Sequence, residues 1–282
     1  MSIKTAISIN NNAVELFLRS RHDSAVSALT RGLKLVQRIM TQRRRGVSTP
    51  QIDPKRSGLT PAAAAIAAAA AAANSDAASS SSSPMRSGSS SNLSANKHSR
   101  QFFSLRLKTS SSSPKYLEGG HEVYVYKDPI MIDPNSGPMD ENDLSIIIMI
   151  NLALVYHDLV GLNAKVEANK SNFYTKKALQ MYHVAISALR SNKTFNAATN
   201  GVYTMAVLNN LASLYGTIKD SVRRTYCLKM LLSHTVVFQV LRNCPLRGSS
   251  LKLIPGQEAM LDGFLANTQA LILRDSGMAA AA

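Results

Sequence analysis

The chain lacks tryptophan, has only two cysteines and contains few acidic residues for its 282 positions. Cys227 and Cys244 cannot build a disulfide framework or a zinc site, so we expect a reduced intracellular protein. No apolar run reaches the roughly 20 residues that a membrane-spanning helix needs, and residues 1–13 lack the apolar stretch of a secretory signal. We therefore expect no membrane insertion and a cytoplasmic location, with the nucleus as the alternative.

Sequence patterns of enzymes and metal sites are also missing. The chain contains no H-E-x-x-H, C-x-x-C, G-x-S-x-G or glycine-rich phosphate loop. His157 and Asp158 are adjacent, but neighbouring residues on a helix point about 100° apart and make a poor proton-transfer pair. These absences predict a protein that is not an enzyme and that uses neither a cofactor nor a metal.

Serine and alanine dominate the middle of the chain, where residues 57–115 contain 18 Ser and 14 Ala in 59 positions. Such a stretch buries too little apolar surface to offset the entropy lost on ordering it. We therefore predict a disordered linker at 46–115. It would join an N-terminal helical hairpin at 1–45 to helical hairpins and a capping helix at 141–275, and a flexible tail would follow at 276–282.

Residues 116–140, between the linker and the C-terminal helices, are predicted to form an extended ribbon and a turn. Two apolar pieces, 123–126 and 130–132, flank Lys127-Asp128-Pro129, a pattern typical of short extended pieces around a turn. We expect a short β-ribbon near 122–133 that lies along the helices.

An internal repeat is the strongest pattern in the sequence. Three windows each have an asparagine, a small residue two positions later and a large residue five positions later: Asn11-Ala13-Leu16, Asn151-Ala153-Tyr156 and Asn210-Ala212-Tyr215. A second helix follows each window, after about 13 additional residues near 161–172 in the second one. A hairpin of this kind cannot bury its own apolar face, so several must stack. We therefore expect the N-terminal hairpin to dock on the C-terminal ones.

The second window resembles the tetratricopeptide repeat. Its Leu152-Ala153, Tyr156, Ala178, Tyr182 and Ala185 match that family's L-[GA]-x2-Y and A-x3-[FY]-x2-A pattern. The whole layout is also similar to that of a group of microalgal repeat proteins whose activity is not established. The resemblance implies an all-α fold of antiparallel helical hairpins stacked as a short tetratricopeptide-like solenoid.

The resemblance also implies a concave groove, lined by the first helices of the hairpins, that binds a protein or peptide partner. The groove residues would be Asn10, Asn11, Val14, Phe17, Ile150, Asn151, Leu154, His157, Asn209, Asn210 and Ser213. Because asparagine both donates and accepts hydrogen bonds, it could hold an extended backbone while apolar neighbours take side chains. The alternative is that these asparagines only cap or bridge helices within the scaffold.

Positive charge is concentrated near the N-terminus, where residues 1–60 carry 11 Lys and Arg against 3 acidic residues. Arg43-Arg44-Arg45 and Lys55-Arg56 form the densest clusters. Clustered cations release counterions from phosphate backbones, so binding of nucleic acid through these residues is an alternative function. The other interpretation is a basic helix end, since cations are favourable at a helix C-terminus.

Overall fold

The computed structural model describes residues 2–46, 105–107, 125–135, 139–164, 167–192, 197–243 and 257–275. Helices account for most of these residues, which confirms the all-α class. The described helices and strands are α1 (Ile3–Leu18), α2 (His22–Gly46), β1 (Leu105–Leu107), β2 (Ile130–Ile132), α3 (Glu141–Asn163), α4 (Ala168–Ser191), α5 (Ala197–Thr217), α6 (Ser221–Asn243) and α7 (Gln257–Asp275). Most of the predicted linker at 46–115 and the whole tail at 276–282 lie outside the described residues.

The helices pack in the order of the sequence, each one against the next from α2 onward to α7, and α1 packs against α2. Two further contacts join helices that are not consecutive in the sequence: α1 contacts α3, and α5 contacts α7. Small residues permit these approaches: Ala153, Ala178 and Ala185 are fully buried, and Ala212 nearly so. Ala153 and Ala212 are thus buried, as the close helix approach expected at these positions requires.

The N-terminal hairpin docks on α3, across the long insertion that separates them in sequence. At Gly32 of α2, an added Cβ would lie 3.3 Å from Ile9 Cγ2 of α1 and 3.5 Å from Ile148 Cδ1 of α3. Two polar contacts complete this interface, one between His22 and Asp158 and one between Arg43 and Glu141. Glycine at position 32 thus brings α2 close to two helices at once.

The turns of the first and third hairpins have the same geometry. Ser20 and Lys219 have positive φ angles of 58° and 59°, and each lies nine residues after an asparagine, Asn11 or Asn210. In both turns the next residue donates its backbone N–H to the carbonyl five residues back, at 2.9 Å. The aligned windows of the sequence therefore end in matching turns.

The second hairpin absorbs its additional residues as helix. The sequence predicted helices at 141–160 and 173–191 with an insertion between them, whereas α3 continues to Asn163 and α4 begins at Ala168. Both helices of this hairpin are therefore longer than expected, and only residues 164–167 separate them. The sequence predicted the remaining helices at 199–217, 220–242 and 256–274, and α5, α6 and α7 begin and end within two residues of these bounds.

The predicted ribbon has a different pairing from the expected one. Residues 130–132 form β2, but β2 pairs antiparallel with β1, with Leu105 opposite Ile132 and Leu107 opposite Ile130. The expected partner of β2 was 123–126. Of these residues the structure describes Val125 and Tyr126, and neither pairs with β2 as a strand. The strand β1 lies inside the stretch assigned to the linker, whose few apolar residues near 105–107 were outweighed by the surrounding serines.

Helix α3 is the most apolar of the described helices. By length and composition it is long enough to cross a membrane, and it is the one helix of the described part that meets this test. Most of its residues are buried inside the protein, however, because α2, α4 and the segment before α3 pack around it. A core helix surrounded on all sides has the same composition as a membrane helix.

Candidate functional site

An extended stretch of the chain crosses the first helices of all three hairpins. We call residues 125–132 the crossing segment, and Asn11, Asn151 and Asn210 the asparagine ladder. Asn210 of α5 accepts a hydrogen bond from the Tyr126 N–H and donates one to the Tyr126 carbonyl, both at 2.9 Å. Each asparagine of the ladder holds one residue of the segment in this way.

The other two ladder residues repeat the arrangement. Asn151 of α3 accepts from the Ile130 N–H at 2.8 Å and donates to its carbonyl at 2.9 Å. Asn11 of α1 accepts from the Ile132 N–H at 2.9 Å and donates to its carbonyl at 2.6 Å. In an extended chain the N–H and C=O of one residue point to the same side, so one amide side chain replaces the neighbouring strand of a sheet.

The two edges of the crossing segment have different partners. Ile130 and Ile132 direct their backbone groups to the ladder, and Met131, between them, lies opposite Arg106 of β1. The pairing of β1 with β2 ends at Ile130, because Pro129 has no N–H that can hydrogen-bond to a neighbouring strand. Side-chain amides therefore satisfy one edge of β2, and a short strand satisfies the other.

Further asparagines join the ladder to the helical scaffold. Asn10 donates to the Ile130 carbonyl at 3.1 Å and accepts from the Asn151 side chain at 3.0 Å. The Asn210 amide also donates to the Tyr182 hydroxyl at 2.8 Å. Asn209 donates to the Asn210 side-chain oxygen at 3.3 Å and accepts from Asn267 of α7. Among the described residues, every buried side-chain nitrogen or oxygen has a hydrogen-bond partner.

Side chains of the crossing segment fill the space between the helices. Tyr126, Ile130 and Ile132 are at most 1% exposed and belong to the hydrophobic core. Lys127 is exposed, and Val125 and Met131 are partly so. The residues that bond to the ladder are thus buried, as is Pro129, while the other positions of the segment reach solvent.

His157 of α3 lies near the same segment. Burial and, to a lesser extent, the positive charge of Lys127 lower the pKa of its imidazole to about 4, against the opposing charge of Asp158. The Tyr182 hydroxyl is 3.5 Å from His157 Nδ1, at the limit of a hydrogen bond. His157 therefore stands beside the segment as a neutral side chain at neutral pH.

The remaining predicted groove residues have varied surroundings. Val14, Ile150 and Leu154 are buried. Phe17 lies at the turn between α1 and α2, with its ring 5.7 Å from that of His22, and Ser213 is partly exposed. The structure thus brings Asn10, Asn11, Asn151, Asn210 and His157 together around one extended segment, and turns Asn209 toward α7.

Two contributors were not predicted as part of the site. Tyr182 was assigned to helix packing alone, yet its hydroxyl accepts from Asn210. The crossing segment itself was predicted to lie along the helices, but not on the asparagines. The sequence does contain both an extended apolar stretch and three repeated asparagines, and this combination could have indicated that the asparagines bind the stretch.

The basic cluster is partly engaged within the protein. Arg43 Nη1 lies 2.8 and 3.0 Å from the two carboxylate oxygens of Glu141, at the start of α3. Lys55 and Arg56 lie outside the described residues, as do the side chains of Arg44 and Arg45. Arg43 thus lies near the end of α2 and contacts Glu141 within the protein. Binding of nucleic acid by the basic cluster stays a hypothesis.

Reactive groups elsewhere are few in the part of the chain that the structure describes. Cys227 is buried, which raises the pKa of its thiol to about 11 and disfavours the reactive thiolate. Cys244 lies outside the described residues. No cluster of three or more His, Cys, Asp or Glu residues that could hold a metal ion occurs among the described residues.

No protein-family model matches the sequence, and no curated protein or solved structure matches it either.

Proposed function

We propose that this protein is a non-enzymatic scaffold that binds an extended segment of a protein or peptide partner. The single observation that carries the proposal is the asparagine ladder, in which three helices each hold both backbone groups of one extended residue. Main-chain hydrogen bonds of this kind provide affinity for any extended peptide, and pockets for alternate side chains provide selectivity.

The same observation favours a tetratricopeptide-like arrangement of the helices. The ladder asparagines occupy equivalent positions in the three sequence windows, and the helices pack in sequential order. A short solenoid with its first helices along one groove accounts for both features. We further propose that the protein works without a cofactor, in the cytoplasm or the nucleus, since its partner surface requires only hydrogen bonds and apolar contacts.

A peptide-selection experiment with the full-length chain tests this function. The bait carries Ile130→Ser and Ile132→Ser, which weaken the hold of the chain's own segment on the groove. From a library of random 12-residue peptides, we expect retention of sequences with large apolar residues at alternate positions. Adding Asn151→Leu to the bait should abolish retention, because the central hydrogen bonds are lost.

Asn12→Leu is the matched control for this experiment. Asn12 lies on α1 next to Asn11, but its side chain is exposed, so the same substitution there should leave retention unchanged. Retention that survives Asn151→Leu would overturn the proposal. So would binding that falls steeply with added salt, which would favour contacts with phosphate and the nucleic-acid alternative.

A further inference from the structure

We propose that the crossing segment is an internal competitor of the partner. It would occupy the groove until a partner presents an extended strand with an aromatic residue at one position and aliphatic residues four and six positions later. This inference rests on the proposed function, and it adds both the sequence pattern of the partner and the means by which access to the groove is controlled.

The hydrogen bonds of the ladder cannot distinguish the chain's own segment from another peptide. Each ladder amide bonds to an N–H and a C=O, and all residues except proline carry both groups. A partner strand in the same register would therefore make the same six hydrogen bonds. Selectivity must come from the side chains that enter the protein.

Three positions of the crossing segment supply that selectivity. Tyr126, Ile130 and Ile132 are buried to 1% exposure or less, and their spacing places them on the same side of an extended chain. Between them, Lys127 is exposed, whereas Pro129 is buried but makes no bond to the ladder. The space that a partner must fill is thus shaped for an aromatic side chain and two β-branched aliphatic ones, at relative positions 1, 5 and 7.

Release of the crossing segment leaves the secondary structure of the scaffold intact. The helices make their own backbone hydrogen bonds, and the ladder contributes side chains only. Helix α3, which follows the segment, has its own N-cap, since the Asp140 side chain accepts from the Asn142 N–H at 2.7 Å. After release, water or a partner backbone can take the place of the segment at each ladder amide.

Covalent connection makes the internal segment a strong competitor. A tethered ligand acts at an effective concentration in the millimolar range for flexible connections. The apparent affinity for a partner equals the intrinsic affinity multiplied by the fraction of molecules whose groove is free. A partner with the matching pattern therefore binds weakly to the resting protein and more tightly once the internal segment is weakened.

Fluorescence anisotropy with a labelled synthetic peptide of residues 122–133 tests this competition on full-length chains. We expect the Ile130→Ser, Ile132→Ser variant to bind the peptide at least tenfold more tightly than the wild-type chain. The same peptide with serine at its own positions 130 and 132 should bind neither chain. In the variant, addition of Asn12→Leu should leave the affinity unchanged.

The possible results separate the two proposals. Equal affinity of the wild-type chain and the variant for the peptide would overturn the competition and leave the proposed function standing. Absence of binding to both chains, with the variant folded by circular dichroism, would overturn the proposed function as well.

Hydrogen exchange of the unmodified chain provides a test that does not depend on a variant. The amides of Tyr126, Ile130 and Ile132 should exchange through a local opening at least tenfold more populated than the openings that expose the central amides of α3. Exchange of the segment and of α3 through one common unfolding step would show that the segment cannot leave by itself, and would overturn the proposal.

Discussion

The helical scaffold and the crossing segment satisfy their backbones in different ways. Within each helix, backbone groups bond to one another four residues apart, so the hydrogen bonds depend on the local chain alone. In the crossing segment, three residues depend on asparagine side chains from α1, α3 and α5. The helices must therefore stay together for the protein to fold, whereas the crossing segment can be exchanged for the segment of another chain.

The largest effect should come from packing within the scaffold. Ala153 is fully buried between α3 and its neighbours, so Ala153→Phe forces a large ring into close-packed helices. We expect a loss of about 3 kcal/mol in the free energy of unfolding, measured by urea denaturation, since overpacking costs roughly 1–3 kcal/mol and occasionally more.

Ala164→Leu provides the control for this packing prediction. Ala164 is exposed after the end of α3, and a surface change of this kind is expected to stay within about 0.5 kcal/mol of the wild-type value. Equal urea midpoints for the two variants would remove close helix approach as the role of Ala153.

Loss of a ladder residue should affect the crossing segment more than the scaffold. Asn151→Leu leaves the Ile130 N–H without its amide partner and the Ile130 carbonyl with Asn10 alone, at a cost of roughly 1–3 kcal/mol. Because the segment can open, we expect hydrogen exchange at Tyr126, Ile130 and Ile132 to accelerate while the central amides of α4 keep their protection. The exposed Asn12→Leu change should leave both sets of amides unaffected. An equal loss of protection in the segment and in the helices would show that the two regions open as one cooperative unit.

Acid should loosen the segment through His157. Burial, and then Lys127 of the segment, hold the His157 pKa at about 4, and release of the segment lets it rise toward its ordinary value. The open state then binds more protons, so the stabilisation by the segment is complete at neutral pH and declines as the pH falls from about 6.5 to 4. The slope is at most about 1.4 kcal/mol per pH unit.

Exchange rates at the Ile130 amide, corrected for the intrinsic effect of pH, measure this dependence. The charges of Lys127 and Asp158 act on the His157 pKa, and the Tyr182 hydroxyl lies 3.5 Å from its ring. His157→Gln removes the titrating group, so the dependence between pH 6.5 and 4 should become flat at this amide. A variant that retains the dependence would assign it to another group.

The smallest effect should come from a turn of the scaffold. Lys219 has a φ of 59°, a conformation that glycine adopts without strain. We expect Lys219→Gly to stabilise the protein by about 0.5 kcal/mol in urea denaturation and to leave exchange in the crossing segment unchanged. A variant less stable than the wild type would show that the lysine side chain contributes more than its backbone strain costs.

Sequence patterns predicted the scaffold better than they predicted the site. Helices repeat their apolar residues every three to four positions, so α5 to α7 were placed almost as found, and the asparagines were correctly grouped on the first helices. The contacts of Asn10 and Asn11 join residues 120 and 121 positions apart. Such bonds have no local signature, so the segment was predicted as extended but not as the ligand of the ladder.

Two further features escaped prediction for physical reasons. The additional residues of the second hairpin lengthen α3 and α4, because a helix can grow by a turn without disturbing the packing of its earlier turns. Strand β1 lies among serines that predicted disorder, yet three residues suffice to pair with β2 when that strand is already fixed by Asn11 and Asn151.

The long separation between the ladder and its ligand has a consequence for the order of folding. Contacts within each hairpin close short loops and form early, whereas the bonds of Asn10 to Ile130 and of Asn11 to Ile132 close loops of more than a hundred residues. During synthesis, the crossing segment leaves the ribosome after α1 but before α3 and α5 exist. The segment therefore gains its ladder asparagines one at a time: Asn11 is already present, Asn151 follows with α3, and Asn210 completes the groove only when the last hairpin is made.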